Sequence, residues 1–163
     1  MNRPLGFIAA LLIACSVRAE VLTGQVVGIA DGDTITVLDA SRQQHKIRLA
    51  GIDAPEKKQA FGERSRQSLA ALVFSKTVSV EWDKSDRYGR TVGKVMINGV
   101  DANLAQVKAG MAWWYEKYRK EQSPADQRLY AEAEQQARVG RVGLWRDPLP
   151  VAPWEWRSAQ RSR

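Results

Sequence analysis

The sequence predicts an α+β fold, mainly β, in which a five-stranded barrel of the OB type carries about three helices. Three observations lead to this fold class. The chain after residue 19 begins with short β-branched runs separated by Asp-Gly and Ser/Gln-rich turns, which predict a strand meander. A helical stretch then separates the third run from the fourth, and helical patterns follow the fifth. This order of strands and helices is that of an OB-type barrel.

The five strands are predicted from their residue pattern and from the turns between them. In chain order they are VLTGQVVGIA, TITVLD, HKIRLAGI, TVSVEW and TVGKVMI. The turn DGD separates the first two, ASRQQ the next two, and the loop DKSDRYGR lies between the last two. Asn98-Gly99 then predicts a tight turn, because this residue pair favours the backbone that two-residue turns require.

Three helices are predicted from apolar spacing and from start and stop signals. The first covers about residues 59–74, and the second covers residues 101–110 and ends at a glycine. The third, residues 123–140, begins with Ser123 as N-cap, a proline at its first position and Asp126 three residues after the cap. Apolar residues recur at every fourth position of the third helix: Ala125, Leu129, Ala133 and Ala137.

The first 19 residues predict a secretory signal peptide. Arg3 gives a positive start, LGFIAALLIA is an apolar run too short to span a bilayer, and VRA ends the segment at a small residue. An alternative stays open, because LIAC contains Cys15, the only cysteine, and resembles the lipobox of bacterial lipoproteins. We therefore expect an exported protein, periplasmic or secreted, or alternatively a lipoprotein anchored to the envelope through Cys15.

The remaining residues are expected to form one domain and a tail. Residues 20–147 carry the barrel and its helices, and the length suits a single core. Residues 148–163 form a basic tail that contains proline and tryptophan. At least one of Trp154 and Trp156 is expected to pack against the domain, whereas the last residues are expected to be disordered.

The charge balance of the chain suggests a polyanionic partner. The formal net charge is +7, and removing residues 1–19 takes away two basic residues and no acids, which leaves +5. An excess of positive charge is typical of domains that bind nucleic acid or anionic polymers. A basic surface that only maintains solubility is the alternative.

The inventory of reactive side chains narrows the possible chemistry. His45 is the only histidine, and we interpret it as a partly exposed sheet residue. Because the only cysteine, Cys15, lies within the predicted signal segment, Cys-His catalysis and His/Cys zinc sites are nearly excluded. Carboxylates and arginines remain, and they suit a hard cation such as Ca²⁺ or Mg²⁺ and a phosphate group.

Three short motifs hold the candidate carboxylates and arginines. They are DGDT at 31–34, IDAPE at 52–56 and DRYGR at 86–90. Alone, each reads as an ordinary turn or loop, and DRYGR could hold an ion pair between its first and last residues. All three fall at strand ends or loops beside the same half of the predicted barrel, where binding sites tend to lie.

Taken together, these motifs resemble the staphylococcal-type nucleases, also called thermonucleases. DGDT, IRLAGIDAPE, DRYGR and a late GLW (143–145) occur in this order, and the resemblance covers about residues 21–146. It implies an OB-fold barrel with helices and a Ca²⁺-dependent phosphodiesterase that acts on DNA and RNA. It also implies the metal ligands: the carboxylates of Asp33 and Asp53 and the backbone carbonyl of Ala54, with Asp31 as a neighbour that shapes the site.

The resemblance further implies catalytic roles for three residues. Glu56 would act as general base or orient the attacking water, and Arg48 and Arg90 would bind the scissile phosphate. Alternation along the strand puts Arg48 on the opposite face from Asp53, so a kink near Gly51 is needed to bring them together.

Substrate contacts are implied in two segments. Tyr88 and Arg87 are expected at the substrate phosphates, and Tyr115 or Tyr118, in WWYEKY at 113–118, takes the place of a substrate-facing tyrosine. One of the two tryptophans in that segment is expected to pack in the core. The loops after Glu56 and in DKSDRYGR are shorter than in the best-known relative, which puts substrate preference and rate in doubt.

Two functions follow from these observations. The first is a calcium-dependent nuclease with little sequence preference, active on DNA and RNA as a monomer without an obligate protein partner. The alternative is a non-catalytic OB module that binds single-stranded nucleic acid. The combination of acids and arginines favours the nuclease, because a binding module does not need it. Membrane attachment is expected only if Cys15 is lipidated.

Overall fold

Five long strands close into a barrel in the computed structural model, which describes residues 20–162. The predicted signal peptide and Cys15 lie outside these residues. The strands are β1 (Glu20–Asp31), β2 (Thr34–Asp39), β3 (Gln44–Leu49), β4 (Ile52–Asp53), β5 (Thr77–Ser85), β6 (Thr91–Ile97), β7 (Val100–Asp101) and β8 (Trp113–Trp114). The helices are α1 (Gly62–Val73), α2 (Ala102–Lys108), α3 (Pro124–Val139) and α4 (Pro153–Arg161), with 3₁₀ turns at Glu116–Glu121 and Gly143–Arg146.

The barrel is mixed, and a parallel pair closes it. Antiparallel pairing joins β3 to β2, β2 to β1, β1 to β5 and β5 to β6. The parallel pairing of β3 with β6, in which Arg48 lies opposite Val92, completes the ring. The short strands β4 and β8 form a separate two-stranded sheet. This closed barrel with helices confirms the predicted fold class.

Alternating β-branched residues fill the barrel. Val26, Ile35, Val37 and Ile47 are fully buried, as expected when every second side chain of a half-buried strand points inward. Burying one such side chain contributes about 1.5–3 kcal/mol, so this core is the main source of stability. His45 lies on β3 with its Nε2 atom 2.8 Å from a carboxylate of β2, in agreement with its interpretation as a partly exposed sheet residue.

Capping side chains fix the starts of α2 and α3. Asp101 accepts a hydrogen bond from the backbone N–H of Leu104 at 3.0 Å. Ser123 Oγ accepts one from the backbone N–H of Asp126 at 3.1 Å, which confirms the predicted N-cap of α3. Each cap satisfies a backbone N–H that has no partner within the helix.

The buried face of α3 is only in part the face that the apolar residues at every fourth position predicted. Ala133 and Ala137 are buried, but Leu129 is 49% exposed and Tyr130 is only 1% exposed. The Tyr130 hydroxyl donates a hydrogen bond to Asp101 at 2.8 Å. A large ring with a polar tip can therefore enter the core at this position, because the acid that caps α2 satisfies its hydroxyl.

The tail packs against the domain and ends in helix α4. This differs from the disorder expected for the last residues, because α4 continues to Arg161. Trp154 packs edge-on against Trp113 and lies nearly parallel to Tyr115, with centroid distances of 5.6 and 5.2 Å. The expectation that a tail tryptophan packs on the domain is thus confirmed. Within residues 20–162, no helix has both the length and the hydropathy needed to cross a membrane.

Candidate active site

A left-handed glycine brings an arginine of β3 to a carboxylate of β4. Gly51 lies between the two strands with φ +73°, a backbone conformation that glycine adopts at little cost. The chain direction changes there, and Nη2 of Arg48 lies 3.0 Å from Oδ1 of Asp53. The predicted kink near Gly51 is therefore confirmed, and it overrides the alternation of side chains along a straight strand.

A second carboxylate joins this pair from the turn between β1 and β2. Oδ2 of Asp33 accepts a hydrogen bond from the backbone N–H of Ala54 at 2.7 Å and lies 3.2 Å from Nη2 of Arg48. The backbone N–H of Asp33 is held by the Asp31 carboxylate at 3.0 Å. The motifs DGDT and IDAPE thus meet at one point, although 21 residues separate Asp33 from Ala54.

A buried glutamine that the sequence analysis missed supports the DGD turn. Gln106 is 1% exposed, and its Nε2 atom donates to the carbonyls of Gly32 at 2.8 Å and Ser65 at 3.1 Å. Gly32 itself has no room for a side chain, since a Cβ there would overlap Ser65 Oγ. The signal that could have revealed Gln106 is its position one turn after Ala102, on the buried face of α2.

Burial raises the pKa values of Asp31 and Asp53, two acids of this site. Asp33 is 6% and Asp53 is 1% exposed. Burial raises the pKa of Asp53, although the hydrogen bond from Arg157 and the charge of Arg48 act in the opposite direction. Burial and then the neighbouring charge of Asp33 raise the pKa of Asp31 to about 7. Carboxylates removed from water in this way are stabilised by a nearby cation.

Helix α4 contributes an arginine that the sequence analysis did not select. Nη2 of Arg157 lies 2.7 Å from Oδ2 of Asp53, and its Nη1 atom lies 2.8 Å from Oε1 of Glu56. Glu56 follows Pro55 and is half-buried, so it remains accessible from the cleft. The signal that could have revealed the helix of Arg157 is Pro153, because proline is favoured at the first position of a helix.

The DRYGR loop holds the second predicted catalytic arginine. Nε of Arg90 lies 2.7 Å from Oδ2 of Asp86, which confirms the ion pair between the first and last residues of the motif. Nη1 of Arg90 also donates to Thr34 Oγ1 at 3.3 Å, so the loop reaches the DGDT turn. The guanidinium groups of Arg87 and Arg90 lie 4.9 and 5.6 Å from the ring centre of Tyr88, which is 69% exposed.

One open cleft of about 810 Å³ collects the predicted site residues, and we call it the main cleft. All eleven residues selected from the sequence line it: Asp31, Asp33, Arg48, Asp53, Ala54, Glu56, Arg87, Tyr88, Arg90, Tyr115 and Tyr118. Helix α4 adds Trp154, Arg157 and Arg161 to the same lining. Trp113 is only 8% exposed, as expected for one tryptophan of its segment.

The ligand atoms available around Asp53 are oxygens, the type that a hard divalent cation prefers. Two nearly buried carboxylates, Asp33 and Asp53, and the carbonyl of Ala54 supply oxygen only, which Ca²⁺ and Mg²⁺ prefer. No group of three or more His, Cys, Asp or Glu side chains that could hold a metal occurs in residues 20–162. A metal here would therefore draw on main-chain oxygen and water, and it would replace guanidinium contacts on the carboxylates.

The chain is similar to nucleases both in a comparison with family models and in a comparison with individual proteins. A family model described as staphylococcal nuclease homologue matches residues 46–147. The chain is 46% identical to Protein ParB of Escherichia coli, over 100% of this chain and 94% of that protein. It is 45% identical to a micrococcal nuclease of Shigella flexneri, over 94% and 91% of the two chains. It is also 41% identical to an uncharacterized endonuclease of Haemophilus influenzae, over 93% and 80%.

Proposed function

Since the chain belongs to the staphylococcal nuclease family, we propose that its main cleft hydrolyses DNA and RNA with Ca²⁺ and with little sequence preference. The chain is a nuclease, and its substrates are nucleic acids. The observation that carries the proposal is the meeting of two buried carboxylates, a half-buried glutamate and two arginines in one open cleft. These are the groups that phosphodiester hydrolysis needs: cation ligands, a base and donors for the phosphate oxygens.

The metal is proposed to bind at the carboxylates of Asp33 and Asp53 and the backbone carbonyl of Ala54. When bound, Ca²⁺ polarises the phosphate and lowers the pKa of a coordinated water. Asp31 accepts the hydrogen bond from the backbone N–H of Asp33 and so keeps that residue oriented, a role that does not require it to ligate the metal.

Glu56 is proposed to take the proton from the attacking water or to orient that water. Its side chain is 39% exposed, three residues after Asp53, so it can reach both solvent and the metal-binding carboxylates. A positioned general base contributes roughly 10²–10⁴-fold to rate.

Arg48 and Arg90 are proposed to stabilise the charge that develops on the phosphate. Both are half-buried, and both are held by carboxylates, Arg48 by Asp53 and Arg90 by Asp86. A phosphate offers the same pair of acceptor oxygens to a guanidinium fork as a carboxylate does. Loss of one preorganised donor of this kind costs roughly 10²–10³-fold in rate.

The substrate is proposed to bind through phosphate contacts and aromatic stacking. Arg87 and Tyr88 form one exposed edge of the cleft, and Tyr115 and Tyr118 line another part of it with ring centres 4.9 Å apart. Stacking on such rings contributes about 1–3 kcal/mol per base without strong sequence preference. Phosphate binding also predicts that the affinity for nucleic acid falls as the salt concentration rises. A plot of the logarithm of the binding constant against the logarithm of the salt concentration should have a slope of about −0.7 to −0.9 per neutralised phosphate.

The cellular setting is proposed from the first 19 residues. Their basic start, apolar run and small terminal residue support export to the periplasm or the medium, and LIAC supports the alternative of an envelope-anchored lipoprotein. We propose that the exported domain acts as a monomer and needs no protein partner.

The decisive experiment incubates the protein from residue 20 onward with single- and double-stranded DNA and RNA. Each substrate is tested with Ca²⁺, with Mg²⁺ and with a chelator. Cleavage that requires Ca²⁺ supports the proposal, whereas cleavage that survives the chelator contradicts the metal assignment. Tight binding without cleavage under every condition would support the single-stranded nucleic-acid-binding module instead.

A further inference from the structure

Helix α4 lies outside the segment that the family model matches, yet it is firmly attached to the domain. The matched segment ends at residue 147, and α4 begins at Pro153. The carbonyl of Val151 accepts a hydrogen bond from Nε2 of Gln59 at 2.6 Å. Trp154 stacks on Tyr115, and the two residues before Trp154 are buried. The direction of α4 on the domain is therefore fixed by contacts that do not involve its arginines.

One face of α4 is turned toward the main cleft. Trp154, Arg157 and Arg161 follow a spacing of three and four residues, which places them on the same side of a helix, and all three line the cleft. Arg157 is the member of this face that reaches the carboxylates. Arg161, one turn further, lines the cleft but forms no ion pair with Asp53 or Glu56 among the described residues.

The guanidinium of Arg157 occupies both oxygens of Asp53. Its Nη2 atom lies 2.7 Å from Oδ2, and its Nη1 atom lies 3.2 Å from Oδ1 of that carboxylate. The same Nη1 atom donates to Oε1 of Glu56 at 2.8 Å. A guanidinium in this position competes with a metal ion for Asp53 and with a water molecule for Glu56.

Of the two arginines at Asp53, Arg157 is the one that can leave. Arg48 has a side chain that is 14% exposed, and it also contacts Asp33 and the carbonyl of Leu49. The Arg157 side chain is 35% exposed and stands on a helix at the edge of the site. A buried carboxylate needs a cation, and a metal on Asp53 would supply that cation while repelling the guanidinium.

We propose that Arg157 is a positioning residue for the metal-binding carboxylates. Without metal it holds Asp53 and Glu56 in place, and metal binding at Asp53 displaces its guanidinium. The inference rests on the proposed function, because it takes Asp53 as a ligand of the catalytic metal. It gives α4, which the family match does not include, a direct part in setting metal affinity.

The test is calorimetric titration of Ca²⁺ into the purified protein and three variants. Arg157→Gln removes the competing guanidinium, so its Kd for Ca²⁺ is expected to fall roughly tenfold. Arg161→Gln is the matched control, because it removes the same charge from the same face of α4 without a contact to Asp53. Its Kd is expected to change less than about twofold, since an exposed distant charge is screened by solvent and salt.

Arg157→Lys keeps the positive charge but loses the planar guanidinium. Its Kd for Ca²⁺ is therefore expected to have a value intermediate between those of the wild type and Arg157→Gln. Thermal unfolding of each variant establishes that it is folded. A second readout follows the side-chain nitrogens of Arg157 by NMR. Separate Nη signals from a restrained guanidinium are expected without Ca²⁺, and they are expected to merge when Ca²⁺ saturates the protein.

The outcomes separate this inference from the proposed function. Three outcomes would each overturn the inference. They are an equal change of the Kd for Ca²⁺ in Arg157→Gln and Arg161→Gln, weaker Ca²⁺ binding by Arg157→Gln than by the wild type, and Nη signals of Arg157 that do not change with Ca²⁺. If no protein of the set binds Ca²⁺, both the metal assignment and the inference are wrong. If the Kd values follow the expected order but the wild type cleaves no nucleic acid, the proposed reaction alone is contradicted.

Discussion

Arg48, on the barrel strand β3, and Asp53, on the short strand β4, form an ion pair with 3.0 Å between Nη2 and Oδ1. The pair exists because Gly51 turns the backbone between them through a left-handed conformation. Any other residue would be strained in that left-handed conformation, and its Cβ would also overlap a neighbouring side chain. A Cβ at this position overlaps the side-chain amide of Gln122.

Gly51→Ala is expected to reduce both stability and activity. The left-handed backbone costs an alanine about 1–2 kcal/mol, and the side-chain amide of Gln122 must move to make room for the Cβ. Relief of the strain would move Arg48 away from Asp53, so the rate of DNA cleavage should also fall. Urea unfolding and initial cleavage rates measure the two effects.

Gly99→Ala is the control for this prediction, because Gly99 has a similar φ of +77° and open space where its Cβ would lie. It should lose stability through backbone strain alone and keep its activity. Equal effects of the two substitutions on cleavage would show that the kink at Gly51 does not orient the site.

Glu56→Gln is expected to retain Ca²⁺ binding and lose most of its turnover. The amide keeps the size of the side chain but cannot accept a proton, which predicts a rate loss of roughly 10²–10⁴-fold. Calorimetry measures Ca²⁺ binding, and single-turnover cleavage measures the chemical step. Glu121→Gln is the matched control, since Glu121 lines the same cleft but pairs with Lys84. Undiminished turnover of Glu56→Gln would rule out a proton-transfer role for Glu56.

Gln106→Leu is expected to lower the free energy of unfolding by about 1–3 kcal/mol, because the buried carbonyl of Gly32 would lose its hydrogen bond. Ser68, which donates to Oε1 of Gln106 at 2.7 Å, would lose its acceptor as well. Chemical denaturation measures the change. Gln67→Leu on the exposed face of α1 is the control, and it should stay within about 0.5 kcal/mol of the wild type. A similar loss in both variants would contradict the role assigned to the buried amide.

The DRYGR loop is expected to lose stability in acid. Burial alone would raise the pKa of Asp86, but hydrogen bonds from the backbone and guanidinium of Arg90 outweigh it and lower that pKa. Because the pKa is lowered, the ionised acid stabilises the loop fully at pH values above its ordinary pKa of about 3.9. This contribution is lost as the pH falls through the lowered pKa.

Arg90→Gln should therefore raise the pKa of Asp86 toward its ordinary value, as measured by NMR titration of the carboxyl carbon. Arg87→Gln changes the same loop without removing a hydrogen bond to Asp86, so it should leave that pKa nearly unchanged. A pKa of Asp86 that does not respond to Arg90→Gln would show that the backbone hydrogen bonds alone hold it low.

Local patterns in the sequence predicted the features that depend on neighbouring residues. The N-cap at Ser123 and the ion pair of Asp86 with Arg90 join residues three and four positions apart, so their spacing alone indicates them. The place of Arg48 in the main cleft needed one further inference, the kink at Gly51. The barrel itself followed from strand patterns and turns.

Features that depend on distant residues were missed. Arg157 lies 104 residues after Asp53, and its helix is ordered because Trp154 finds Tyr115 on the domain. The sequence predicted that a tail tryptophan packs on the domain, but it did not indicate that Tyr115 is the partner of Trp154. The inward position of Tyr130 has the same cause, because the acid that accepts its hydrogen bond, Asp101, is the N-cap of another helix. Tertiary contacts of this kind override local composition.

The parallel pairing of β3 with β6 also determines when the predicted site residues come together in the folding chain. Arg48 lies opposite Val92 in this pairing, and Arg90 immediately precedes β6, so both arginines take their places only when the ring closes. Such non-local pairing forms late, because a long segment of chain must be ordered first. A chain that ends before β6 contains both arginines and the acids of the site, but it lacks the pairing that places the arginines beside those acids. We therefore expect a shortened chain of this kind to cleave no nucleic acid, although it contains every predicted catalytic residue.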